Sequence, residues 1–197
     1  MKPTIVICPG SWGTVFSFQP LIEAFEARDY PVICKVIETY PTNWNPPDIN
    51  PDTVHLGSEV LNPLHEEGKD IILFMHSYGG VYGPEEATDL VVIRKEAARD
   101  VLFHHHDLTL RKQPLRVFKC PVVWVPYDDD DNRYKELLGY IHTGQDRVVP
   151  LDLQKRFVAT ARIGRTALLG DATHCPHLQQ PRKLVETVEE MVGSITG

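Results

Sequence analysis

The stretch Asp70-Ile71-Ile72-Leu73-Phe74-Met75-His76-Ser77-Tyr78-Gly79-Gly80 constrains this chain more than any other. Five successive apolar residues, Ile71 to Met75, predict a strand buried on both faces, as in a parallel sheet. The strand runs without a polar break into His76-Ser77-Tyr78-Gly79-Gly80, where two glycines permit a sharp turn into a helix. A serine at the tip of a strand-turn-helix is where a nucleophile elbow presents its hydroxyl. The backbone N–H of the next residue then faces a developing oxyanion. The elbow pattern is Gly-x-Ser-x-Gly, and Met75 occupies its first position here. On this segment alone a plainer reading stands beside the nucleophile: a βα turn in which Ser77 caps a helix.

The flanking residues supply the sheet that such a strand requires. Thr4 to Cys8 is a β-branched run stopped by Pro9-Gly10. A helical pattern follows, with Phe18, Leu21, Ile22 and Phe25 on one face and Glu23, Glu26 and Arg28 opposite. Tyr30-Pro31 ends it, and Val32 to Ile37 gives a second strand. Strand, helix and strand in this span predict a βαβ unit with parallel pairing and a right-handed crossover. Four prolines and three asparagines make 38–52 a loop. A helix from about Val54 to Glu67 carries Leu56, Val60, Leu61 and Leu64 on its apolar stripe, and Pro63 predicts a kink or an early end.

Beyond Gly80 the pattern is less regular. Val81 to Thr88 should form the helix behind Ser77, although Gly83-Pro84 interrupts it. Leu90 to Ile93 is a short strand-like run, and Arg94 to Phe103 is helical in pattern. His104-His105-His106 raises a metal site, but consecutive side chains alternate faces in a strand and splay by about 100° in a helix, a poor facial set of ligands. A solvated loop or a pocket wall suits them better. Cys120 to Val125 is apolar, and the acidic run Asp128 to Asp131 is a solvated loop. A strand at Leu137–Thr143, a helix from Pro150 to about Ala161, a strand at Thr166–Leu169 and a helix from Pro181 to about Ile195 complete the chain. The terminal helix carries Leu184, Val188, Met191 and Val192 on one stripe.

Composition narrows the classes. With 197 residues and 42% hydrophobic content, the chain suits one globular domain with a sizeable core. A net charge of −7 argues against a general binder of nucleic acid or anionic membranes. No apolar run approaches the roughly 20 residues that span a bilayer, and the N-terminal segment has a strand pattern rather than that of a signal peptide. Cys8, Cys34, Cys120 and Cys175 are scattered without metal-type spacing, so a reducing, cytoplasmic location is the simpler expectation.

Ser77, Asp146 and His174 each follow closely on a strand. In an open parallel sheet the strand C-terminal ends lie along one edge, where ligands bind. Their chain order, Ser then Asp then His, is that of a hydrolase triad. In this reading His174 is the general base for Ser77, and Asp146 holds the imidazole tautomer and its charge. Backbone N–H groups of Tyr78 and Ser11 would form the oxyanion hole, with Trp12 lining the substrate pocket beside Phe16. His177 is a rival base, ranked second. Asp146 has the bland alternative of capping a turn before the Pro150 helix, and His174 that of an exposed loop histidine.

Four blocks in order resemble the α/β-hydrolase superfamily, specifically a branch of small esterase-like proteins frequent in fungi and bacteria and similar to plant methyl esterases. They are Val6-Ile7-Cys8-Pro9-Gly10-Ser11-Trp12, Met75-His76-Ser77-Tyr78-Gly79-Gly80, Gln145-Asp146-Arg147-Val148-Val149-Pro150, and His174-Cys175-Pro176 with Gln180-Pro181. The resemblance covers 3–89 and 118–195. It implies an α/β fold, a three-layer sandwich on a mostly parallel sheet, spanning 1–197 as one domain. It implies no metal and no organic cofactor, and a lid, reduced here to 94–127. The branch has a further full strand and a longer lid between the serine helix and the Asp strand, where this chain offers only Leu90 to Ile93 and a shortened insert. Strands lie about 4.8 Å apart, so a lost slot could displace Asp146 from His174 by that much.

The expected function is therefore a cofactor-free serine hydrolase acting on an ester or lactone of a small, fairly apolar molecule. A rival of another class is a binding or scaffold protein on the same fold, in which the Asp146–His174 separation exceeds hydrogen-bond reach. A lyase on that fold is a third, though no pocket lysine can be placed for it.

Overall fold

The computed structural model describes residues 2–10, 13–34, 55–80, 90–91, 120–121 and 137–196. Ser11, Trp12, the loop at 38–52, the helix at 81–88, the histidine run at 104–106 and the expected lid apart from Cys120–Pro121 lie outside these. The chain falls into two compact units, Met1–Val92 with Arg116–Pro126, and Ile93–Leu115 with Tyr127–Gly197.

In the first unit, β1 (Thr4–Cys8) lies between β2 (Val32–Cys34) and β3 (Ile71–Met75), parallel to both. Helix α1 (Val15–Glu26) makes the predicted βαβ crossover between β1 and β2. A capping box starts it: the Ser17 amide donates to Thr14 Oγ1 at 3.2 Å and the Thr14 amide to Ser17 Oγ at 2.9 Å. Phe18, Leu21 and Phe25 bury the face anticipated from their spacing. Each such side chain removed from water contributes roughly 1.5–3 kcal/mol.

Two sequence expectations change in detail. The strand buried throughout is β1, whereas Ile71 to Phe74 of β3 are half-buried and Met75 is 44% exposed. Among the described residues β3 pairs on one side only, with β1. A central strand is covered more completely than an edge strand. The predicted helix around Pro63 is also not a plain α-helix. A π-helical turn at Gly57–Leu61, closed by the Asn62 amide on Gly57 O, precedes α2 (Asn62–Glu66). Pro63 has no amide proton to donate back into the preceding turn, and the wider turn places it at the start of the next segment.

Leu90–Val91 forms the short strand β4, paired antiparallel with β5 (Cys120–Pro121) as a two-stranded sheet separate from β2-β1-β3. Among the described residues these two strands pair only with each other.

The second unit repeats the strand-helix-strand logic. Strands β6 (Gly139–Thr143) and β7 (Arg165–Leu169) are parallel, with Thr143 opposite Leu169, and α3 (Leu151–Thr160) connects them. This register leaves the two C-terminal ends flush. After β7 come a short α4 (Pro176–Gln179), not expected from the sequence, and the amphipathic α5 (Pro181–Thr196), whose Leu184, Val185 and Val188 are buried. No helix among the described residues is long and apolar enough to cross a membrane.

Candidate active site

Ser77 lies two residues beyond Met75, at the strand end that the sequence assigned to it. The register Cys8↔Met75 brings the ends of β1 and β3 level, and the His76 amide donates to Cys8 O at 3.1 Å. A 3₁₀ turn, Ser77–Gly80, begins there, with the Gly79 amide on His76 O at 2.8 Å. Ser77 has φ 51°, a left-handed conformation that is costly for a residue bearing a Cβ. Asp29 and Arg162 share positive φ, but each closes a helix, where that conformation is usual. Ser77 instead lies between a strand and a turn. A left-handed residue there turns the chain sharply at the end of β3.

Two glycines make that turn possible. A Cβ on Gly79 would lie 2.3 Å from Cys8 O, so the turn presses directly on the end of β1. A Cβ on Gly10 would lie 2.8 Å from Ser77 Cβ and 3.0 Å from His76 O. The loop after β1 can approach the serine only because residue 10 has no side chain. Ser77 is exposed, and Tyr78 follows it in the turn.

Asp146 and His174 come from the two strand ends of the second unit. The His174 Nδ1–Asp146 Oδ2 distance is 2.9 Å, with side chains only 6% and 4% exposed. Asp146 Oδ2 also accepts from Thr143 Oγ1 at 3.0 Å, while Oδ1 accepts from the Val148 and Val149 amides at 2.8 and 2.9 Å. Burial by itself would push this carboxyl up. The His174 hydrogen bond and charge, with the Val149 and Val148 amides, outweigh it and hold the carboxyl below its ordinary value. The carboxylate only accepts, so the hydrogen of this contact is carried by His174 Nδ1.

Neighbouring groups feel the same charge. Burial, with Asp146 adding to it, pushes the Tyr140 phenol and the Cys175 thiol each up to about 12. Cys175, Cys8 and Cys34 are free thiols. His177 lies buried in α4, while the Asp146 carboxylate is engaged by His174. The separation beyond hydrogen-bond reach required by the non-catalytic rival is absent from this pair.

The loops bearing Asp146 and His174 are each tied down by a glutamine. Gln154 Nε2 donates to Val149 O at 2.7 Å and to Thr143 O and Oγ1 at 3.0 Å each, and Gln154 Oε1 accepts from the Thr143 amide at 2.9 Å. Gln179 Oε1 accepts from the Thr173 amide at 2.9 Å, and its Nε2 donates to Asp171 O at 3.1 Å. The two loops also meet directly, through the Gly144 amide on Leu169 O at 2.9 Å and the Gln145 amide on Ala172 O at 2.8 Å. The sequence reading missed Thr143, Gln154 and Gln179. A polar residue ending an apolar strand, and a glutamine in the first turn or two after a loop, are faint signals for such roles.

No protein-family model and no curated protein sequence matches the chain. Solved structures do. A pyrethroid hydrolase from Sphingobium faniae is similar with a TM-score of 0.69 and 15% identity, over 95% of this chain and 96% of that one. An extracellular alpha/beta-hydrolase from a Paenibacillus species, described as sharing structural and functional homology with tobacco salicylic acid binding protein 2, has a TM-score of 0.66 and 13% identity over 96% and 99%. Polyneuridine aldehyde esterase has a TM-score of 0.65 and 16% identity over 98% and 100%. At these identities the likeness speaks to the backbone arrangement, and on it the chain has the α/β-hydrolase fold.

Proposed function

We propose that this protein is a serine hydrolase that cleaves an ester or lactone of a small, fairly apolar molecule. The observation that carries the reading is the buried hydrogen bond from His174 Nδ1 to Asp146. It favours the tautomer that leaves Nε2 as the accepting nitrogen, and it stabilises the imidazolium that forms when a proton is taken up. The left-handed backbone of Ser77 at a strand end supports it from the first unit. A pyrethroid hydrolase and an esterase are among the proteins of similar structure, which supports an ester-like substrate.

In the proposed reaction, His174 Nε2 accepts the Ser77 proton as Oγ attacks the substrate carbonyl. The tetrahedral oxyanion is met by the Tyr78 amide, with Ser11 as the second donor. His174 then protonates the leaving alkoxide, and water, activated by the same imidazole, releases the acid from Ser77. Trp12 and Phe16 would border an apolar acyl or alcohol group.

The test is covalent labelling by a fluorophosphonate, an electrophile that phosphonylates activated serines. Wild-type protein should take up one equivalent at Ser77 and turn over p-nitrophenyl esters, and Ser77→Ala should do neither. Folded wild-type protein that resists the probe would remove the proposal.

A further inference from the structure

The Asp146 loop is held from outside itself. Gln154 sits in α3, is only 1% exposed, and reaches both flanks of the loop: the backbone of Thr143 before Asp146, and Val149 O after it. Two amide hydrogens serve three acceptors, one of them the Thr143 hydroxyl oxygen. That last contact has a directional consequence. An amide N–H pointing at Thr143 Oγ1 occupies a lone pair, so the hydroxyl hydrogen is turned away from it. The acceptor it meets is Asp146 Oδ2, 3.0 Å away, the same oxygen that receives His174 Nδ1. An ordered chain of donors therefore runs from Gln154 through Thr143 to the carboxylate.

We infer that Gln154 and Thr143 are positioning residues for the Asp146–His174 pair, setting the orientation of the carboxylate and sharing its Oδ2 with the imidazole. Neither touches substrate. The Thr143 hydroxyl holds Oδ2 in the plane where His174 Nδ1 can reach it, and Gln154 keeps that hydroxyl in its donating orientation while closing the two ends of the loop. The consequence for catalysis rests on the hydrolase reading above. The consequence for the imidazole proton does not.

Thr143→Val is the decisive variant, because it removes one hydroxyl at nearly constant volume and leaves the Gln154 bonds to the backbone available. Gln154→Met removes the amide and retains the length. Two quantities are read in protein shown by circular dichroism to be folded. One is the low-field proton NMR signal of His174 Nδ1–H, assigned by its loss in Asp146→Asn. The other is the division of any rate effect between kcat and KM. In both variants the signal should move upfield or broaden, and kcat should fall about tenfold, the effect of losing one hydrogen bond to a charged group, with KM within about twofold of wild type. Thr143→Ser should recover the signal and most of the lost kcat. An unchanged His174 signal in folded Thr143→Val overturns the inference, whatever the rates. Failure of Ser77 to take the fluorophosphonate defeats the hydrolase reading instead, and the proton signal still decides this one without turnover.

Discussion

Asp146 receives four hydrogen bonds in a site its side chain barely exposes to water, and its titration follows from that. Its carboxyl titrates below the ordinary 3.8 in the folded chain, so the unfolded chain binds a proton more readily. The stabilising contribution is fully present above the unfolded value and is lost as pH falls through the lower folded value. Urea-unfolding midpoints measured at pH 5 and at pH 3 should fall for wild-type protein, and fall less for Asp146→Asn. Equal losses would show that the carboxylate does not carry the effect. At this scale the Asp146–His174 pair, and Ser77 as a residue at a strand end, could be picked out as candidates because each is a chemically distinctive residue just beyond an apolar run. Thr143 and Gln154 were not, because their roles depend on a side chain from one element reaching another, and no local pattern records that reach.

Elements joined by close backbone approach depend on residues that contribute no side chain. Gly144 follows β6, and a Cβ there would lie 2.2 Å from Gly170 O, at the end of β7. Neither atom belongs to a side chain that could swing aside, so Gly144→Ala must part the two loops that bear Asp146 and His174. Chemical denaturation should show a loss of about 1–3 kcal/mol, the range of other overpacked sites. Gly164→Ala is the matched control, since a Cβ there meets nothing within 4 Å, and it should stay within about 0.5 kcal/mol of wild type. Most elements were readable from their patterns: α1 and α5 carry apolar stripes on the faces they bury, and β1 is an unbroken β-branched run buried at every position. The exposure of β3 was not, because an apolar run states what can be buried and leaves open how many neighbours do the burying. The antiparallel β4–β5 pair escaped for a related reason, as two residues per strand carry no period.

For the whole molecule, the legible part was the class of fold, given by the order strand, helix, strand at both ends of the chain. The shortened middle was the unreadable part, since its few apolar residues are compatible with several pairings. Charge belongs to this scale as well. With a formal −7, the protein should stay in the supernatant when phosphatidylserine-containing vesicles are pelleted at 0.15 M salt, and co-sedimentation would point to a basic or apolar face that the sum conceals. The glutamine that spans the Asp146 loop has one more consequence. Because the acid is fastened at both flanks, its location is insulated from the chemistry of the exposed side chains between them, Gln145 and Arg147. Those two positions are free to change while the Asp146–His174 pair stays where it is.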